Sequence, residues 1–114
     1  MGRFSKDKGA RGERELATKL RELGFVDAYR SRQYCGSASS ADVLGIPYVH
    51  AEVKRCEHLS MYTAFEQARQ DAADTADMPT VFHRRNGKPW LVVLSLEDWA
   101  KLCKTFIHRQ LESE

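Results

Sequence analysis

The sequence contains no apolar run approaching the roughly 20 residues of a membrane span, and its opening segment, MGRFSKDKGARGERE, lacks the apolar stretch of a secretory signal. A soluble, cytoplasmic protein with no membrane partner is therefore expected. Cysteine is scarce: Cys35, Cys56 and Cys103 are odd in number and form no C-x-x-C pair. That argues against a disulfide framework or a zinc knuckle and leaves reduced thiols. Internal repeats and extended low-complexity segments are also missing. The 114 residues, 42% of them hydrophobic, suit one domain with a single core over residues 1–114, with 1–6 and 109–114 as tails that fray.

Net charge is small, at +2, but unevenly spread. Residues 1–34 hold nine Lys/Arg against five Asp/Glu, whereas residues 35–114 hold nine against eleven. A basic end of this kind suits a phosphate-binding surface, because neutralised phosphates release counterions. A solvated charged face accounts for it equally well.

Hydrophobic spacing organises the chain. Leu16, Leu20 and Leu23, followed by Gly24, predict an amphipathic helix over 9–24, after which Phe25 enters the core. Val26 to Ser31 suits a strand, and QYCGSASSA, residues 33–41, a loop. Residues 42–46 and 48–54 read as a hairpin turning near Ile46 to Tyr48. Met61, Ala64, Phe65, Ala68 and Ala72 predict a second helix capped by Ser60. Thr80–Arg84 and Trp90–Leu94 flank Asn86-Gly87, the dipeptide suited to a type I′ hairpin. Leu96, Trp99, Ala100, Cys103, Phe106 and Ile107 form the stripe of a third helix that closes the domain, with Glu97 and Asp98 favouring its start. The order α-β-β-β-α-β-β-α implies an α/β fold, a mixed central sheet flanked by helices.

A hairpin centred on Pro47 sets Asp42 opposite Glu52, with Cβ atoms about 4.5–5.5 Å apart. Two facing carboxylates destabilise a sheet unless a cation compensates, and a divalent ion is the simplest one. Strand alternation puts Glu52 and Lys54 on one face and Val49, Ala51 and Val53 on the other, toward the core. An exposed hairpin with an ordinary Glu52–Lys54 pair explains these three residues as readily. Glu13 adds weight: it sits on the side of the first helix that otherwise faces the core, although the helix dipole also favours a carboxylate in a first turn.

KGARGERELATKLRELGF, then YRS, a small-residue loop, AD and finally AEVKR resemble the archaeal-type Holliday junction resolvases over residues 8–55. Those enzymes belong to the PD-(D/E)XK superfamily, whose restriction-endonuclease-like core carries an N-terminal Glu, an Asp on one strand and E-x-K on the next. The resemblance implies Glu13, Asp42, Glu52 and Lys54 as catalytic residues, and DNA contacts by Arg14, Arg30, Lys8 and Ser31. Ala41 replaces the superfamily's proline, the hairpin is short, and the likeness weakens after residue 55 to a helix carrying Tyr62 and Gln67.

The resemblance implies an endonuclease that resolves four-way DNA junctions by paired symmetric nicks. Asp42, Glu52 and the Val53 backbone carbonyl would bind Mg²⁺, or Mn²⁺ in its place, with Glu13 contacting the metal directly or through water. Lys54 would orient the attacking water or stabilise charge on the phosphate. Arg11, Arg14, Arg30 and Arg32 would position the DNA backbone. Two symmetric nicks imply a homodimer, with the last helix or the Trp90 hairpin as its interface unless core packing claims both. Flap, single-stranded or duplex DNA, and a DNA-binding module without catalysis, are the alternatives. His58, His83 and His108 with Cys56 offer no recognised zinc spacing. His50 borders the site by strand face, with a surface histidine the plainer expectation.

Overall fold

The computed structural model describes residues 2–31 and 41–114, with side chains from residue 9 onward. Among them the elements run α1 (Gly2–Glu22), β1 (Tyr29–Arg30), β2 (Val43–Leu44), β3 (Val49–Arg55), α2 (Met61–Asp71), β4 (Met78–Arg84), β5 (Leu91–Val93) and α3 (Leu96–Glu112). This is the expected order, and the two ends expected to fray are helical from Gly2 and up to Glu112. No helix among the described residues is long and apolar enough to cross a membrane.

The strands form one sheet in the order β1-β2-β3-β4-β5. All neighbours are antiparallel except β3 and β4, which are parallel and joined by the α2 crossover. The crossover divides the core in two. On the α1 face lie Leu16, Ala17, Leu20, Ala28, Val43, Ala51 and Phe82, flanked by Val49 and Val53. On the α2 face, Ala64, Ala68 and Val81 meet Leu59, Phe65 and Val93. The expected alternation along β3 therefore holds: Val49, Ala51 and Val53 face α1, and the even-numbered residues face the other way.

α1 ends at Glu22, immediately before Leu23, which is exposed. Gly24 (φ 108) closes the helix: its N–H donates to the Arg21 carbonyl, and the Phe25 N–H donates to the Leu20 carbonyl at 2.9 Å. That reversal leaves Phe25 45% exposed rather than in the core, and Val26 outside any strand, so the segment expected over 26–31 pairs only at Tyr29–Arg30. Ala28, not Phe25, fills the core there.

The β2–β3 connection depends on Gly45 (φ 90), whose missing side chain lets the Asp27 carbonyl pack against it. The Asn86-Gly87 turn is not type I′. Among the described residues Tyr48 is the non-glycine residue with positive φ, so Asn86 lacks the rotation that turn needs, and Gly87 (φ 72) alone supplies it within a longer loop between β4 and β5. Ser60 stands at the N-cap of α2, but its hydroxyl bonds Thr63 rather than the helix backbone.

α3 departs most from expectation. Its start is capped, the Asp98 N–H donating to the Ser95 hydroxyl at 3.1 Å. None of its residues is buried, however, and Leu96, Trp99, Leu102, Phe106, Ile107 and Leu111 are all exposed. α1 and α2 lie on opposite faces of β3, and α3, which follows the edge strand β5, contributes to neither core cluster, so the helix does not close the domain.

Gly45→Ala should destabilise the protein by more than about 1 kcal/mol, since an alanine there meets both positive φ and the Asp27 carbonyl. Thermal unfolding checks it. Gly87→Ala, with open space around its Cβ position, should cost less.

Candidate metal centre

Val43 pairs with Ala51 across the β2–β3 ladder, so on the same register Asp42 faces Glu52, as a hairpin centred on Pro47 requires. The Asp42 N–H donates to the Ala51 carbonyl (2.8 Å), and its Oδ2 accepts from the Val53 N–H (2.8 Å). Its carboxylate is thereby fixed over β3. Burial first, then the Glu52 charge, push the Asp42 carboxyl up to about 7, against the pull of the Val53 N–H.

Glu52 is 4% exposed, deeper than any other carboxylate of the described residues. It occupies the middle of β3 opposite Val81 of β4, on the face covered by α2. His50, 3% exposed, lies two residues earlier with its Nε2 3.0 Å from Glu52 Oε1. The plainer expectation of a surface histidine is thus wrong: parallel pairing with β4 and the cover of α2 enclose this part of β3 on both sides. The bond to Glu52 and the surrounding negative charge raise the His50 pKa, against the opposing effect of burial.

The helix α2 runs back along β3, so its polar positions meet β3 in reverse order. Lys54 Nζ donates to Gln67 Oε1 at 3.4 Å, and Asp71, one helical turn further on, reaches His50 and Glu52. Ligand atoms of His50, Glu52 and Asp71 all lie within 4.8 Å of one another. Burial and then the Glu52 charge raise the Asp71 pKa, with Lys54 and His50 opposing.

Glu13 joins from α1. Its placement depends on two contacts nearby in the helix. Gly12 is buried against Arg55, where an added Cβ would come within 2.6 Å of the arginine's own Cβ. Glu15 bridges Arg55 at 3.5 Å and also pairs with Arg84. Glu13 itself lies 3.7 Å from Arg30 Nε. Burial raises its pKa, Arg30 and Arg14 oppose and the Glu52 charge adds to the rise, while the charge of Glu13 in turn raises that of Asp42.

The expected catalytic set, Glu13, Asp42, Glu52 and Lys54, is therefore brought together from α1, the start of β2, and β3. Asp71 was not foreseen. The available signal was Gln67 and Asp71 at i, i+4 on a crossover helix following E-x-K. The expected DNA contacts are dispersed. Arg11 and Arg14 line a cleft of about 850 Å³ between α1 and the β4–β5 hairpin, together with Phe82, Trp90 and Val92. Arg30 faces Glu13. Ser31 is buried, its N–H donating to the Asp42 carbonyl at 2.9 Å, so its visible part is to hold the strand that carries Asp42. The Lys8 side chain, Arg32 and most of the 33–41 loop, with Cys35, lie outside the described residues. Cys56 and Cys103 are free thiols. His83 bonds the Cys56 carbonyl and His108 pairs with Glu112, so the histidines other than His50 form no common site among the described residues.

Compared with family models, with curated proteins and with solved structures, the chain matches none.

The upward shifts of Asp42 and His50 have the same sign. Each group holds its proton more tightly folded than unfolded, so its stabilising contribution is complete at acid pH and lost as pH rises, for Asp42 between about 4 and about 7. In EDTA the melting temperature should fall across that window. Asp42→Asn should flatten the fall and raise the melting temperature at pH 8 by at least about 4 °C. Differential scanning calorimetry over pH 4–8 reads both.

Proposed function

We propose that the chain is a metal-dependent DNA endonuclease with a restriction-endonuclease-like, PD-(D/E)XK core, acting on four-way junctions. The observation that carries this reading is the convergence of Glu13, Asp42 and Glu52 beside Lys54, with two of the carboxylates facing each other across one hairpin. Such crowding stabilises nothing by itself. It is the arrangement that a hard divalent cation rewards.

Asp42, Glu52 and the Val53 carbonyl would hold Mg²⁺ or Mn²⁺, with Glu13 completing the set directly or through water. When bound, the ion supplies a water of lowered pKa and positive charge for the scissile phosphate. Lys54, held by Gln67 on the same strand face, orients that water or offsets phosphate charge. Arg30 keeps Glu13 aimed at Asp42, and Arg11 and Arg14 present positive charge toward the DNA backbone from α1.

A junction resolved by two symmetric nicks needs two sites related by a two-fold axis, and one chain contains one such cluster. The exposed stripe of α3 supports a homodimer. Six large apolar side chains stand exposed along one 17-residue helix, the kind of surface that marks an interaction site when it is contiguous. Core packing, the competing explanation for that stripe, does not use it.

Two experiments check the reading. With Mg²⁺ or Mn²⁺, the wild-type protein should place paired symmetric nicks in a labelled synthetic four-way junction and leave matched linear, flap and single-stranded DNA intact. EDTA or Glu52→Gln should lower cleavage by at least about a thousandfold. Unchanged cleavage by the variant removes the site assignment, and metal-dependent cutting confined to another substrate keeps the site and changes the substrate. Separately, Phe106→Asp with Ile107→Asp should convert a dimer to a monomer in light scattering while leaving the circular dichroism spectrum in place.

A further inference from the structure

His50 and Asp71 have no part in the metal set just described, yet they share Glu52 with it. A His50–Glu52 pair alone would be a self-sufficient buried ion pair or hydrogen bond, 3.0 Å long and closed to solvent. Asp71 adds a further carboxylate to a pair that needs none. Glu52 and the three carboxylates near it, Glu13, Asp42 and Asp71, stand against three permanent cations, Arg14, Arg30 and Lys54. Arg30 is paired with Glu13, and Lys54 with Gln67.

The geometry points to a second cation site formed by His50, Glu52 and Asp71, with Glu52 as the carboxylate shared between two ions. This rests on the reading of Asp42 and Glu52 as the first site. Ligand atoms bound about 2.1 Å from one ion at right angles stand about 3 Å apart, and opposite ligands about 4.2 Å apart. The 3.0 Å separation of His50 Nε2 and Glu52 Oε1 matches the first case, and the 4.8 Å limit on the whole set accommodates the second. Asp42 lies outside that compact group, so the two ligand sets meet only at Glu52. All three donors come from β3 and α2, and α2 is seated by Ala64 and Ala68 on the buried Val81 of β4, the strand paired with β3 beside Glu52.

The donor types set the metal. One imidazole nitrogen with two carboxylates favours Mn²⁺ or another transition ion over Mg²⁺, whereas the all-oxygen Asp42 set accepts either. The site therefore assigns His50 as the residue that makes the second ion a transition ion such as Mn²⁺ in preference to Mg²⁺.

Isothermal titration of the metal-free full-length chain with MnCl₂, read together with electron paramagnetic resonance, tests this. Wild type should bind two Mn²⁺ per chain and show the spin coupling of ions about 3.5–4 Å apart. Asp71→Asn and His50→Gln, each checked for native circular dichroism, should bind one uncoupled ion, and excess Mg²⁺ should displace it. Asp42→Asn should retain an ion that Mg²⁺ displaces at least about tenfold less readily. A single ion in wild type, lost in Asp42→Asn and kept in Asp71→Asn, overturns the inference and leaves the proposed function standing. Two ions retained in both Asp71→Asn and His50→Gln also overturn it. No binding in wild type overturns both readings.

Discussion

The structure depends on keeping the Glu52 carboxylate in the middle of the sheet, at 4% exposure, among groups of its own charge. Removing a charge from water costs several kcal/mol unless partners replace the lost hydration. Here His50, 3.0 Å away, replaces only part of it, and Asp42, Asp71 and Glu13 work against it. A chain selected for stability alone would place a valine or threonine at this position, as β4 does opposite with Val81. The crowding identifies the place where local stability is given up for something else.

Much of the remaining architecture serves that point. The hairpin through Gly45 brings Asp42 over β3, and the Val53 N–H fixes its oxygen. Small side chains on α2 (Ala64 and Ala68) and at its C-cap (Ala72) let the helix lie close enough for Gln67 and Asp71 to reach the strand. On the opposite face, Gly12 against Arg55 and the pairing of Glu15 with Arg55 and Arg84 fix α1 so that Glu13 arrives from the other side. Three separate elements are thus held by ordinary packing and ion pairs. The energetically awkward cluster lies where they meet.

The element order and the pairing of Asp42 with Glu52 were legible because both depend on local pattern: periodicity for the helices, and turn position for the hairpin register. The alternation on β3 was legible for the same reason. What was not legible depended on tertiary placement. His50 reads as a polar residue on a solvent face until parallel pairing with β4 and the α2 crossover cover that face. Asp71 is one of several acidic residues near the end of α2 until the direction of the helix over β3 is known. Phe25 and the α3 stripe show the converse error. An apolar residue after a helix, or along one, is read as core, but a Schellman turn can direct it outward, and a helix that follows an edge strand can lie off both packed clusters.

The facing carboxylates of Asp42 and Glu52 form a cation site, as proposed, or else a shared-proton pair. Crystals grown near pH 7.5 in MnCl₂ and measured at the manganese absorption edge distinguish the two most directly. A cation site gives an anomalous difference peak within about 2.3 Å of both carboxylates and of the Val53 carbonyl oxygen. A map with no peak between them, and with Asp42 Oδ and Glu52 Oε at hydrogen-bond distance from each other, would contradict it.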